Sequence, residues 1–313
     1  MKNNIMEKIA ITTGDPNGIG AEITIKALNM LDIPSDKVVL ISNKAVLDYY
    51  GKLNKNYEII EIPYCIDFIE PGKVSKFSGE FSFQSLQKAC EIKPSAIVTA
   101  PVAKKALHLA GHFFNGQTEV LEYFLAHDNQ LAEMLFVADN FRVLLLTRHC
   151  ALKDITLTKE MVKTKVRNLV QTFRTQFCIH SPKFALCGFN PHSGEDGILG
   201  NEEIEILIPA VKELQDEGIN ITMPLPADTL FVKAAKAYYE CTNDEYDCYI
   251  ANYHDQGLIP IKTVAGDKTV NMTIGLDILR TSPGHGTAFD IAGKDIADPT
   301  AMISAIVSVF NQL

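Results

Sequence analysis

The stretch YDCYIANYHDQGLIPIK, residues 246–262, sets an apolar run directly before a His-Asp-Gln cluster. Cys248, Tyr249, Ile250 and Ala251 read as a short strand buried on both faces, since a half-buried strand would alternate apolar with polar residues. His254 follows three residues later. The pattern recurs: VLLLTRH ends in His149 and FALCGFNPH ends in His192. His108, His112, His127 and His180 stand outside it, and His285 lies in a glycine-rich loop. In open α/β sheets, ligands bind beyond the carboxyl ends of the strands. Three histidines that each follow a strand can therefore project from one rim.

Outward from these runs, strand and helix patterns alternate almost throughout. KIAITTG reads as a strand and GAEITIKALNML as the helix after it. KVVLIS, SAIVTAPV, MLFVAD, FRVLLLT and KFALCGF read as further strands, separated by helical stretches such as TKEMVKTKVRNLVQTFRTQF. Such alternation implies parallel strands covered by helices. The predicted fold class is α/β, with two α/β/α domains and mostly parallel sheets. One domain spans residues 1–130 plus about 282–313, and the second spans 131–281 and carries the three histidines. The last helical run, TAMISAIVSVFNQL, has no strand after it and is expected to pack back on the first domain.

The bulk numbers agree. A chain of 313 residues suits about two domains. With 47% apolar and 21% charged residues it reads as an ordinary soluble protein. No signal-peptide core stands at the start, and no apolar run reaches the roughly 18 residues that span a bilayer. The seven cysteines form no CxxC pair and sit among apolar neighbours, so buried thiols in a reduced cytoplasmic protein are expected. A net charge of −9 disfavours nucleic acid and anionic membranes as partners. A phosphorylated small molecule is still permitted, because local cations outweigh a screened distant charge.

A lone histidine after a strand is most often a hydrogen-bonding residue. Three in one topological position suggest a divalent-metal site with an open coordination position. Asp255 and Glu195 stand close in sequence to His254 and His192, where a carboxylate could orient an imidazole. Lys262, Asn271 and Arg280 follow at intervals of eight, nine and nine residues in a mostly apolar segment. A Lys, a carboxamide and an Arg together suit a phosphate. GDPNGIG (Gly14, Gly18, Gly20) follows a strand and opens a helix, either as an anion site or as a plain tight turn. Its spacing is not GxGxxG, so it is no Rossmann fingerprint.

GDPNGIGAE, APVAKKAL, GQTE, NPHSGEDGILGNEE, PADTLF, YHDQGLIPIK and VNMTIGLDILRTSPGHGTAFDIAG together resemble, in order and spacing, the 4-hydroxythreonine-4-phosphate dehydrogenase family, from about residue 8 to residue 305. The resemblance implies an NAD-dependent homodimeric enzyme of vitamin B6 biosynthesis. Its fold is like that of isocitrate and isopropylmalate dehydrogenases, with the active site in the cleft between the domains. The family's metal-binding histidines fall on His149, His192 and His254, for a divalent ion such as zinc, cobalt or magnesium. Its substrate-binding residues fall on Thr118, Lys262, Asn271 and Arg280, and a proton-transfer lysine falls on Lys104. Two positions depart from the family pattern: Gln117 stands where it has His, and Ala103 where it has Asn. The segment GHGTAFDIAGKDIADP also resembles the nucleotide loop of the isocitrate and isopropylmalate enzymes. That makes His285, Thr287 and Asp290 the expected NAD contacts, whereas Asp298 replaces an Asn of those relatives.

The implied reaction oxidises the 3-hydroxyl of 4-phosphooxy-L-threonine with NAD, then releases CO₂ to give 3-amino-2-oxopropyl phosphate. Alternatives are a dehydrogenase of a phosphorylated four-carbon sugar acid such as erythronate or threonate phosphate, a metal-dependent hydrolase using the same histidines, and a binding protein without catalysis.

Overall fold

A computed structural model describes residues 8–127 and 130–310. The chain divides into two compact units: residues 1–132 with 276–313, and residues 133–275. In chain order the first unit contains β1 (Ile9–Thr12), α1 (Gly20–Met30), β2 (Val38–Ser42), α2 (Lys44–Tyr50), β3 (Glu58–Glu61), α3 (Lys76–Glu91), β4 (Ala96–Thr99), α4 (Lys104–Leu109) and α5 (Gln117–Leu125). The second contains β5 (Glu133–Ala138), β6 (Phe141–Leu145), α6 (Lys159–Thr175), β7 (Lys183–Leu186), α7 (Ile208–Asp216), β8 (Asn220–Ile221), α8 (Ala227–Glu240), β9 (Cys248–Ala251), α9 (His254–Ala265) and β10 (Val270–Ile274). The chain then returns to the first unit with β11 (Leu279–Pro283) and α10 (Thr300–Phe310).

In the first unit the strand order is β3-β2-β1-β4-β11, all parallel. Every residue of β1, β2, β4 and β11 is buried, as strands covered on both faces require. Two of this unit's helices start where a side chain satisfies a free N–H group: Asn43 accepts from Ala45 N–H at α2 and Ser75 from Ser78 N–H at α3. Gly79 lets α3 lie against α4, since a Cβ there would sit 2.0 Å from the Ala106 carbonyl oxygen. The final helix α10 packs on β11 and α1, and Thr281 Oγ1 donates to Ala305 O.

In the second unit the order is β10-β5-β6-β9-β7-β8. β6, β9, β7 and β8 run parallel, whereas β5 is antiparallel to both β6 and β10. The β5–β6 hairpin turns at Asp139-Asn140, with Asp139 at φ 52°. Phe141, Phe231 and Tyr249 meet edge-on or tilted in the core of this unit.

The thiols differ from expectation. Cys90, Cys187 and Cys248 are buried, but Cys65, Cys150, Cys178 and Cys241 are exposed. Apolar sequence neighbours do not decide burial at loops and helix ends, where neighbouring side chains point in different directions. Among the described residues, no helix is long and apolar enough to cross a membrane.

Candidate active site

β6, β9 and β7 are adjacent and parallel, so their carboxyl ends share one edge of the second unit's sheet. Pairing continues past the strands: Leu146 N–H donates to Ala251 O, Thr147 N–H to Asn252 O, and Cys187 N–H to Ile250 O. This zipper delivers His149 and His254 to the same place, with ring centroids 5.3 Å apart. His254 Nδ1 lies 2.7 Å from Asp255 Oδ1, which leaves Nε2 as its nitrogen for a ligand. Arg148, Cys150 and Tyr253 line the same hollow.

His192 arrives differently. It begins a left-handed turn in which His192, Ser193, Gly194, Glu195 and Asp196 all have positive φ. The turn is clamped from behind by a buried carboxylate. Glu203 Oε1 accepts from Asn190 N–H (2.7 Å), its Oε2 accepts from Asn190 Nδ2 (2.9 Å), and Glu202 Oε2 accepts from the same amide (2.6 Å). A Cβ on Gly194 would stand 2.7 Å from Glu203 Oε2, so the clamp needs glycine there. Among the described residues no three His, Cys, Asp or Glu side chains are grouped to hold a metal. The structure thus joins His149 to His254 but does not add His192 to them. No hydrogen bond links Glu195 to His192, unlike Asp255 and His254.

Two other expected residues belong to this unit. Lys262 is exposed on α9, so its apolar sequence surroundings did not bury it. Asn271 pairs with Phe136, which in turn pairs with Val143. This register sets Asn271 in the middle of the sheet and not at its rim. Its Oδ1 is buried without a hydrogen-bond partner.

The first unit carries the remaining groups. Arg280 on β11 is 2% exposed, and its Nε and Nη2 both donate to Thr99 Oγ1, at 2.8 and 2.6 Å. Burial pushes its guanidinium down to about 9, against the opposing pull of Glu119. Gln117 and Thr118 open α5. Gln117 Nε2 donates to Ala100 O at 3.2 Å, which leaves its Oε1 buried and unpaired. The opposite amide orientation would set two acceptors face to face, so the atom Gln117 offers is an acceptor. Lys104 is exposed at the start of α4, with Nζ 3.0 Å from Asn115 Oδ1. Thr99, Asn115 and Glu119 escaped the sequence reading, although Asn115 and Glu119 flank the GQT triplet and could have been flagged by that proximity.

The turn GDPNGIG encloses a carboxyl group. Asp15 is fully buried within it and accepts from Asn17 N–H (2.9 Å) and Ser78 Oγ (3.2 Å). Burial raises its carboxyl to about 6, opposed by those two hydrogen bonds. Gly18 N–H donates to Asp15 O and Ile19 N–H to Thr287 O. A buried carboxyl group inside the turn favours the tight-turn reading over an anion site. His285 and Asp290 are exposed in the following loop, whereas Thr287 lies against Gly18.

Residues 6–309 match the family described as pyridoxal phosphate biosynthetic protein PdxA. The chain belongs to this family. A 4-hydroxythreonine-4-phosphate dehydrogenase from a Sulfurihydrogenibium species is 40% identical, covering 96% of this chain and 97% of that protein. A relative from Oceanobacillus iheyensis, provisionally named a D-threonate 4-phosphate dehydrogenase, is 37% identical over 95% of each chain. Among solved structures, the 4-hydroxythreonine-4-phosphate dehydrogenase of Klebsiella pneumoniae superposes with a TM-score of 0.87 at 32% identity, covering 99% of both chains. The fold is accordingly of the isocitrate/isopropylmalate dehydrogenase kind.

Proposed function

We propose that the chain oxidises 4-phosphooxy-L-threonine at its 3-hydroxyl with NAD and then releases CO₂, giving 3-amino-2-oxopropyl phosphate for pyridoxal phosphate synthesis. The carrying observation is the family match over residues 6–309, supported by relatives at 36–40% identity. A homodimer in the cytoplasm is part of the same reading.

His149 and His254, joined by His192 from its left-handed turn, would hold the divalent ion. Imidazole nitrogens suit zinc or cobalt better than magnesium, which prefers oxygen. When bound, the ion would acidify the substrate hydroxyl, and the nicotinamide would take the hydride from the carbon that bears it. The chain's own residues do the rest. Asp255 fixes the His254 ring so that Nε2 faces outward. Arg280, already desolvated and braced on Thr99, would hold the phosphate, and Lys262 of the second unit is the other phosphate candidate of the family pattern; either role is positioning and not chemistry. Gln117 Oε1 accepts from a substrate hydroxyl or ammonium N–H and does not touch the phosphate, because an acceptor repels phosphate oxygens. Lys104, tethered to Asn115, relays the hydroxyl proton.

One observation favours a second reading, a phosphorylated four-carbon sugar acid as substrate. The Oceanobacillus iheyensis relative carries that activity in its name, and Gln117 replaces the His that the family pattern carries. Both readings are tested by following NAD reduction with 4-phosphooxy-L-threonine, D-threonate 4-phosphate and erythronate 4-phosphate. The first reading expects the amino acid to have the highest kcat/KM. A sugar acid tenfold better would replace it, and no NAD reduction with any of the three would overturn both.

A further inference from the structure

The loop that carries His285, Thr287 and Asp290 has no regular secondary structure, so its shape depends on what fastens it. Three fastenings are present, all within the first unit. Ile19 N–H donates to Thr287 O at 3.1 Å, and Gly18 sits so close that a Cβ there would be 3.0 Å from that same oxygen. At the far end, Glu22 Oε1 accepts from Ala297 N–H at 2.8 Å, while Lys26 Nζ donates to Asp295 O and Ala297 O at 3.0 and 3.2 Å. Between them, the turn 70–73 presses on the middle of the loop. A Cβ on Gly72 (φ +82°) would lie 2.8 Å from Phe289 O, and one on Gly293 would lie 2.7 Å from Pro71 Cβ.

The middle fastening depends on one side chain. Asn17 is 0% exposed and uses its polar groups to tie that turn to GDPNGIG. Its Oδ1 accepts from Glu70 N–H (2.9 Å), its Nδ2 donates to Lys73 O (2.9 Å), and its carbonyl accepts from Gly72 N–H (2.8 Å). Its own N–H is held by Asp15. A carboxamide suits this place because one strand of the turn offers a donor and the other an acceptor.

We propose that Asn17 is a positioning residue for the dinucleotide: by locking the turn 70–73 against Phe289 and Gly293, it holds Asp290 where the ribose hydroxyls of NAD meet it. This rests on the cofactor reading above. The hydrogen bonds of Asn17 go to Asp15, Glu70, Gly72 and Lys73, none of them assigned to metal or phosphate, so its loss separates cofactor binding from substrate binding.

The test is calorimetric titration of NADH into the purified full chain, beside steady-state kinetics. Wild type is titrated first, and a wild type that binds no NADH overturns the cofactor reading itself. Given binding, Asn17→Ala is expected to weaken NADH by about tenfold and raise the KM for NAD in step. The KM for the phosphorylated substrate and kcat at saturating NAD should stay within twofold. Asn17→Asp, which keeps the acceptor for Glu70 N–H, is expected to recover part of the loss. Gly72→Ala reaches the loop from the other side with Asn17 intact and should reproduce the same split, so the test stands even where Asn17→Ala folds poorly. The proposal is overturned if both Asn17→Ala and Gly72→Ala bind NADH within twofold of wild type. It is equally overturned if NADH affinity and kcat fall while the substrate KM rises with them.

Discussion

Glu203→Gln tests whether the left-handed turn is held by its carboxylate or is stable on its own. Four non-glycine residues of that turn, His192, Ser193, Glu195 and Asp196, have positive φ. At roughly 1–2 kcal/mol each, the backbone stores about 4–8 kcal/mol. Opposing this, Glu203 accepts two hydrogen bonds from Asn190, each charge-assisted and contributing about 1.5–3 kcal/mol. A Gln side chain keeps one oxygen for Asn190 N–H but turns an amide donor toward Asn190 Nδ2. Flipping the Asn190 amide would cure that clash only by taking its donor away from Glu202. The expected loss is about 2 kcal/mol, a roughly 30-fold rise in local opening. Hydrogen exchange by mass spectrometry reads this directly at Ser193, Ile198 and Leu199, whose N–H groups bond within the turn. Exchange in peptides from the core strand β9 should change far less. If protection across 190–199 changed less than threefold, the carboxylate would not be what holds the turn.

Arg280→Lys keeps the charge but loses the two-pronged bond to Thr99, and should raise the substrate KM; Arg280→Ala should cost on the order of 2 kcal/mol, tens-fold in kcat/KM. Equal losses with the dephosphorylated substrate would remove the phosphate role. Asp15 titrates near 6 in the fold against an ordinary value of 3.8. Its contribution to stability is therefore full below about pH 4 and lost as pH rises through 6, by up to about 3 kcal/mol. Asp15→Asn should accordingly gain stability relative to wild type between pH 4.5 and 7.5 in urea unfolding, and a constant difference across that range would contradict the burial argument.

The alternation of strands and helices was legible because strands buried on both faces leave near-continuous apolar runs, as IAIT and CYIA do. Strand direction was less so. The antiparallel β5 and β10 follow from which strands become neighbours, a property no local run carries, although Asp139-Asn140 between two apolar runs was a hairpin signal left unused. Of the site, the meeting of His149 and His254 was legible, since both follow adjacent parallel strands closely. His192 was not, because five residues separate it from Leu186 and it opens a left-handed turn of its own. Lys262 and Arg280 looked alike in sequence, yet one lies exposed on a helix and the other buried in a strand. Burial of long cationic side chains depends on the element and the face, which an apolar neighbourhood alone does not define.

The first unit is assembled from two separated stretches of chain, while the second is one unbroken stretch. During synthesis, residues 133–275 have all their strands in hand before β11 has left the ribosome. The first unit must meanwhile wait with the β4 edge unpaired and the α10 seat empty. Arg280 and the loop at 284–298 come in that last segment, so a nascent chain can complete its histidine-bearing unit before either has been made. Chaperone demand during translation should therefore fall on residues 8–127, the earliest made and the last to be closed.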